Sequence, residues 1–344
     1  GVLVARGIAS RLRYFGLDWI VDLGILALDI RSYRAHQISG KFGNIPEANI
    51  FILHSWYYFP MVRKLASKNT RIVYDAHDAY HTLWPERSGL RLAGLRRVYE
   101  FVERSCIRRA DAFLTVSEGV ADVIGKYFGR KPDVVRNAHD FRLDRPSGLS
   151  IRDAAGVGED DFLFVVIGNH KSGMAISSVL EALRRCDKRV HLAFLGAGYE
   201  AIKSEVSALG LSGNVHLLSP VAPDEVVPFV RAADAAMVTY FALTPNYEYS
   251  LPNGFFQSLA AALPMICPNL TEMRRIIDLT NSGIVVDTRD SDAILAAIRR
   301  LSEERVLYSG MKSAASAAAL SYSWESEEAG FLRAVSGRAA IAAG

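Results

Sequence analysis

Residues Ser250 to Pro264 read SLPNGFFQSLAAALP. Ser and Asn favour the capping position of a helix, and a proline in the first turn removes a donor that has no partner there anyway. The run FFQSLAAAL that follows is helix-length and apolar. The stretch before it, AAMVTYF (Ala235 to Phe241), reads as a buried strand. A helix that starts just after a parallel strand offers free backbone N–H groups and the positive end of its dipole, which suits a diphosphate or a ribose. In this reading Leu251, Pro252, Asn253, Gly254 and Phe255 form the helix start. Gly254 leaves room for a close backbone approach, and Gln257 offers an amide to hydroxyls one turn in. Capped helix starts are common, so this segment acquires meaning only from its neighbours.

Working outward, short apolar runs alternate with amphipathic stretches from residue 48 onward. ANIFILHSW, RIVYDAHD, AFLTVS and DVVRN are strand candidates. Helices are expected over Phe59 to Ser67, Gly89 to Arg109 and Glu118 to Phe128. A polar, Pro- and Gly-bearing stretch, HDFRLDRPSGLSIRDAAGVGEDD, then breaks the alternation and marks a boundary. The pattern restarts with FLFVVIG, HLAFLGAG, NVHLLSP, AAMVTYF, PMICP and GIVVD, spaced by helices expected at Ser177 to Arg185, Tyr199 to Leu209, Asp224 to Ala233 and Ser291 to Glu303. Strands apolar throughout and separated by helices predict α/β architecture, with parallel sheets covered on both faces. The expectation is two Rossmann-like, doubly wound domains facing a cleft: 1–145, 146–325, and a closing helix over 326–344 that crosses back toward the first. The first half yields about four strands and no Gly-rich opening turn, so it reads as an incomplete domain, with VLVAR as a remnant of its first strand.

The chain has 344 residues, half of them hydrophobic, enough for two cores. Its three cysteines are far apart and match neither a disulfide framework nor metal-ligand spacing, which predicts a reduced, cytosolic protein. The net charge of +3 is unevenly spread. Through Asp140 there are 21 Lys and Arg against 14 Asp and Glu, and the remainder holds 19 against 23. A basic first half favours an anionic membrane surface or a phosphorylated acceptor, and equally fits an ordinary solvated surface. LDWIVDLGILALDI (Leu17 to Ile30) is too short to span a bilayer, and Asp18, Asp22 and Asp29 place a narrow acidic stripe on it, so a mostly buried helix is expected. No signal peptide is recognisable at the start.

Ligands of such folds bind at the carboxyl ends of strands, so candidates are sought there. After FLFVVIG comes the turn Gly168-Asn169-His170-Lys171-Ser172-Gly173, whose Lys171 is placed to neutralise a departing diphosphate. NVHLLSPVA runs into Pro220-Val221, where backbone groups can read a planar base. In the first half, RIVYDAHD sets Asp75, His77 and Asp78 at a strand end, with His77 able to bond a sugar hydroxyl or phosphate oxygen. His54 ends the neighbouring strand. The arginines of GLRLAGLRRVYEFVERSCIRRAD are read mostly as solvated charge, with membrane contact as the alternative.

Taken in order, these segments resemble the retaining, GT-B glycosyltransferases of group 1 (family 4-like, Glu-x7-Glu type). SLPNGFFQSLAAALPMI resembles the family's signature in its LPN-x-x-F-E variant. RIVYDAHD, ERSCIRRADAFLTVSEGVAD, DVVRNAHD, AFLGAGYE and SYSWESE resemble its other segments, collinearly from about residue 48 to 330. The resemblance implies a metal-independent enzyme with no cofactor, which uses a nucleotide-diphospho-sugar as co-substrate. The sugar would go, with retention, to a saccharide or lipid-linked acceptor in cell-surface polysaccharide or glycoconjugate synthesis. The place of action would be the cytoplasm, peripheral at the inner membrane face.

By carry-over, the diphosphate lies near Lys171 and the helix start at Leu251 to Phe255. Gln257 takes the place of the glutamate that bonds ribose, Pro220 and Val221 meet the base, and His77 contacts donor sugar and phosphate. Two departures stand out. Gln257 replaces a carboxylate, and Tyr249 stands where the other motif glutamate belongs, with Glu248 adjacent. They motivate a second reading, a non-catalytic nucleotide-sugar-binding or scaffold protein. A third is a sugar-nucleotide epimerase on the same architecture, which would need more acid and base groups than the cleft offers.

Overall fold

The structure is a computed structural model that describes residues 48–83 and 90–337, with only the backbone of 90–95. The expected helix at Leu17 to Ile30 and the strand remnant VLVAR lie outside the described residues. Strands β1 (Ile50–Leu53) and β2 (Arg71–Ala76) flank helix α1 (Phe59–Leu65), and α2 (Leu90–Arg109) leads to β3 (Ala112–Thr115). Helix α3 (Glu118–Phe128) and β4 (Asp133–Val134) follow, and the four strands form one sheet in the order β1-β2-β3-β4. The polar stretch read as a boundary holds a short helix, α4 (Ile151–Ala155), fixed by a capping box between Ser150 and Asp153.

The second sheet is built from β5 (Phe162–Ile167), helix α5 (Ile176–Arg184), β6 (Val190–Leu195), α6 (Lys203–Ala208), β7 (Val215–Leu218), α7 (Val226–Val230) and β8 (Ala235–Met237). Helices α8 (Pro245–Tyr249) and α9 (Asn253–Ala260), β9 (Met265–Pro268), α10 (Thr271–Thr280), β10 (Gly283–Val286), α11 (Ser291–Glu303), α12 (Arg305–Ser321) and α13 (Trp324–Ser336) complete the chain. Its six strands are parallel and run β10-β9-β8-β5-β6-β7. Alternate residues of β5 feed two cores: Leu163 and Val165 pack with α7, α9 and α10, whereas Phe164 and Val166 pack with α5 and α11. This is the doubly wound, Rossmann-like arrangement expected of an apolar strand covered on both faces.

Several elements depart from the sequence reading. The helix expected over Tyr199 to Leu209 begins as a 3-10 turn at Tyr199–Ile202, and DVVRN contributes only a two-residue strand. Pro228 sits inside α7, which closes after five residues. Helices α8 and α10 have no counterpart in the sequence reading, although α10 buries Met273, Ile276 and Ile277 on one face. Helix α13 returns to the segment after β4: Trp324 N–H donates to the His139 carbonyl, and Arg136 and Arg142 pair with Glu327 and Glu328. Among the described residues no helix is long and apolar enough to cross a membrane.

The described residues separate into two compact units, 48–75 with 90–112 and 76–83 with 113–337. In the first, Trp56 packs on Tyr99 of α2 at 4.9 Å between ring centres. The Tyr74 hydroxyl donates to Glu103 Oε1 at 3.0 Å in buried surroundings. Burial pushes the Glu103 carboxyl up to about 7, with the Tyr74 bond opposing and Glu100 adding to the rise. The folded protein therefore holds a proton that the unfolded chain has lost, and this contribution to stability is present below about pH 4.5 and fades as pH rises to 7. Glu103→Gln is expected to match the parent at pH 4.5 and to exceed its stability at pH 8, by an order of 3 kcal/mol. Urea midpoints across that range check it, and a pH-independent difference would refute the assignment.

In the second unit, α9 ends with Ala262 at φ 55°, in the left-handed region. Leu263 N–H then donates to the Ser258 carbonyl at 3.0 Å, closing the helix end. An alanine there costs roughly 1–2 kcal/mol of backbone strain. Ala262→Gly is expected to stabilise by about 0.5–1 kcal/mol once glycine's greater unfolded freedom is deducted. A lowered melting temperature would contradict this.

Candidate functional site

Strand order in the second sheet reverses between β5 and β8, which are neighbours although two strands separate them in sequence. Chains leave these two carboxyl ends in opposite directions and open a crevice there. The turn bearing Lys171 leaves β5, and the segment with Tyr240, α8 and the start of α9 leaves β8. They meet around a cavity of about 360 Å³, lined by Lys171, Tyr240, Tyr247, Leu251, Pro252 and Asn253 together with His77, Asp78 and Asn137. The volume suits a small ligand.

Lys171 is exposed, and its Nζ stands 4.9 Å from the centre of the Tyr240 ring. That face attracts the cation and limits where it can go. Burial pushes the Tyr240 hydroxyl above its ordinary range, so it stays protonated beside the lysine. The turn itself is held by Asn169, whose Oδ1 accepts from Ala197 N–H at 2.8 Å, and by His170 N–H, which donates to the Ala197 carbonyl. The Tyr199 hydroxyl donates to the Gly168 carbonyl at 2.9 Å. Gly168, Asn169 and His170 thus shape the turn, and none of them lines the cavity.

The helix start differs in detail from its sequence reading. The capping residue of α9 is Pro252, with no side-chain cap. Ser250 Oγ donates to the Tyr247 carbonyl, and Asn253 Oδ1 accepts from Asn137 Nδ2 at 2.8 Å. Phe255 N–H donates to the Pro252 carbonyl at 2.9 Å, and no capping side chain uses the N–H groups of Asn253 and Gly254, which suits them to an anion. The close approach at Gly254 is made by the protein's own backbone, because a Cβ there would collide with the Ile167 carbonyl oxygen. Phe255 is fully buried in the core, so only its backbone faces the helix start. Gln257 is half-buried and outside the cavity lining, and Pro220 and Val221 lie on the loop after β7, also outside it.

The carboxylate sought near Gln257 is absent from the cavity wall. Glu248 accepts from Thr271 N–H at 3.1 Å and from Thr271 Oγ1 at 2.5 Å, so it caps the start of α10. The Tyr249 ring lies where any side chain at Gly119 would have to go, and the Tyr249 carbonyl accepts from Ser117 Oγ. Asp78 is the one carboxylate among the lining residues. In the other compact unit, His54 Nδ1 lies 3.0 Å from Asp75 Oδ2.

Sequence reasoning missed Asn246. It is buried, with Nδ2 donating to Asp78 Oδ1 at 2.7 Å and Oδ1 accepting from Ala79 N–H at 2.8 Å. Its signal was the Thr-Pro-Asn helix start at residues 244–246, unrecognised inside a loop. Asn246→Ala would strand the buried Ala79 N–H and remove a donor from the half-buried Asp78 carboxylate. It is expected to cost about 1–3 kcal/mol in urea unfolding, and no loss would show that this pair holds nothing.

Comparisons with known proteins bear on this geometry. Residues 161–304 match the family described as Glycosyl transferases group 1, and residues 31–142 match Glycosyltransferase Family 4. The chain is 23% identical over 249 residues to a D-inositol 3-phosphate glycosyltransferase of Rhodococcus opacus, covering 67% of this chain and 54% of that protein. It is 25% identical over 296 residues to the same-named protein of Geodermatophilus obscurus, covering 80% and 63%. The chain thus spans about half to three-fifths of these curated relatives. Among solved structures, sucrose-phosphate synthase of Thermosynechococcus elongatus superposes with a TM-score of 0.68 at 14% identity, covering 86% of this chain and 75% of that one. Anabaena HepE in complex with UDP-glucose gives 0.67 at 17%, covering 84% and 78%.

Proposed function

This chain belongs to the group 1 glycosyltransferases with the GT-B fold, and from that premise we propose that it transfers a sugar from a nucleotide-diphospho-sugar to a saccharide or lipid-linked acceptor, with retention, in cell-surface polysaccharide or glycoconjugate synthesis. The observation that carries this is the single cavity shared by Lys171, the uncapped start of α9 and His77. A diphosphate set between Lys171 and the α9 N–H groups would meet one full cation and one dipole end. Occupancy of the related HepE fold by UDP and UDP-glucose supports that ligand class.

In this reading the bond from the anomeric carbon to the β-phosphate oxygen breaks as the acceptor oxygen bonds the same carbon on the same face. The acceptor proton passes to the departing phosphate oxygen. Lys171 and the α9 start stabilise the charge that develops there, and His77 bonds the donor sugar or phosphate, so no metal is required. Asn253, held by Asn137, and Asp78, held by Asn246, keep the wall in shape. Three free cysteines fit a reducing cytoplasm.

Lys171→Ala is expected to weaken binding of the preferred nucleoside diphosphate about tenfold or more, and to lower turnover at least as much. Thermal shifts against UDP, GDP, ADP and dTDP first select the nucleotide, and calorimetry then gives the affinities. Equal affinity and turnover in parent and variant would sink the assignment.

A second reading rests on Glu248 and Tyr249, which are engaged away from the cavity. A protein of this fold that binds nucleotide sugar without transferring it would show donor affinity with neither transfer nor hydrolysis when its acceptor is supplied.

A further inference from the structure

We propose that Asp78 sets the charge class of the donor sugar, taking neutral hexoses through their hydroxyls and turning hexuronates away. This selection presupposes the nucleotide-sugar reading of the cavity and adds to it which sugars fit. Asp78 is half-buried and is the one carboxylate among the described residues of the lining. Lys171 is the one lysine or arginine there, and its Nζ stands 4.9 Å from the centre of the Tyr240 ring. A diphosphate bound at the α9 start claims that cation. A second anion on the same ligand would then meet Asp78 with no lysine or arginine left in the lining to offset it.

The carboxylate is held in place. Asn246 Nδ2 donates to Asp78 Oδ1 at 2.7 Å, and Asn246 Oδ1 accepts from Ala79 N–H at 2.8 Å. Asn246 is only 5% exposed, so this anchor is sheltered from competing water. An ionised carboxylate has about four acceptor sites, and Asn246 occupies one of them. Other polar side chains of the lining are engaged with one another or with backbone. Asn137 bonds Asn253, Ser250 bonds the Tyr247 carbonyl, and the Tyr247 hydroxyl bonds the Ser172 carbonyl. Glu248, near them in sequence, caps α10 instead. Asp78 therefore keeps the largest open acceptor capacity in the cavity wall.

Chemistry fixes the direction of the choice. A sugar hydroxyl donates to a carboxylate in a charge-assisted bond. A hexuronate carries a carboxylate at C6, which accepts only and repels the first. The repulsion acts across several ångströms in a partly desolvated cavity, so it does not depend on which hydroxyl Asp78 takes.

The test uses the full 344-residue chain with UDP, UDP-glucose and UDP-glucuronate, or the same three forms of another nucleotide where thermal shifts select it. The two sugars differ only at C6, hydroxymethyl against carboxylate. Calorimetry is expected to show the parent preferring UDP-glucose to UDP-glucuronate by about tenfold or more. Asp78→Asn keeps an oxygen for Asn246 and loses the charge, and its preference is expected to fall to about threefold or less. Asp78→Glu keeps the charge and is expected to keep the preference. Losing a negative charge helps every anion to bind, UDP included, so the ratio of the two sugar affinities is the quantity read. A merely structural Asp78 would weaken all three probes together and leave that ratio intact. Retained UDP binding and an unchanged melting temperature show that the variants fold. No preference in the parent, or the parent's preference in Asp78→Asn, would overturn the proposal while UDP binding still upheld the reading of the cavity. Failure of every nucleotide to bind would overturn both.

Discussion

The approach of Gly254 to the carbonyl of Ile167 is the constraint on which the rest of the site depends. Ile167 ends β5 and Gly254 opens α9, two elements separated by most of the second sheet in sequence. Only a residue without a Cβ lets the helix start sit directly on the strand end. That seat brings Pro252 and Asn253 to the same crevice as the turn that leaves β5. The turn is held in its own way: a side chain at Gly196 would strike the Gly168 carbonyl, so the loops after β5 and β6 can nest. Two close backbone approaches therefore set the distance between Lys171 and the helix dipole.

Around that seat, α8 acts as a spacer with three polar anchors. Asn246 holds the segment after β2, Glu248 caps α10, and the Tyr249 carbonyl receives Ser117. Glu272 of α10 in turn accepts from Gly119 N–H at 2.7 Å, at the start of α3. Buried polar pairs of this kind contribute little net energy when made and cost more when broken, so they specify an arrangement more than they stabilise it. The absence of a motif carboxylate at residue 249 has a structural counterpart. The aromatic ring that replaces it fills a gap left by Gly119, and its glutamate neighbour is committed to a helix end.

Much of the second sheet was legible because its strands are apolar on both faces and its helices carry apolar residues at helical spacing. FLFVVI and VHLAFL announce themselves as buried strands, and SDAILAAIRRLSE begins and ends where its cap and its periodicity say. Less legible were elements whose residues suit two states. Thr244 to Tyr249 reads as loop because five residues are too few to show a period, and α7 is shortened by a proline that the pattern tolerates. The helix start at residue 253 was placed correctly, but its capping chemistry was not. Local preference nominated Ser250 or Asn253, whereas Ser250 turns back to the Tyr247 carbonyl three residues earlier and the distant Asn137 claims Asn253.

From sequence alone came the parallel α/β class, the group 1 resemblance, the basic bias of the first 140 residues and the nomination of Lys171, His77 and the segment after Ser250. Those follow from local rules: periodicity, strand-end position and the charge on a side chain. Which of the nominees share a cavity was decided only by the tertiary structure. The reversal of strand order between β5 and β8 collects Lys171 and Leu251 to Asn253, the segment after β2 adds His77 to the same cavity, and Pro220, Val221 and Gln257 stay outside it. It also reassigned Gly254 from ligand to backbone and Phe255 from site to core, because a helix start packed on a strand end uses its smallest residue for contact and its largest for burial.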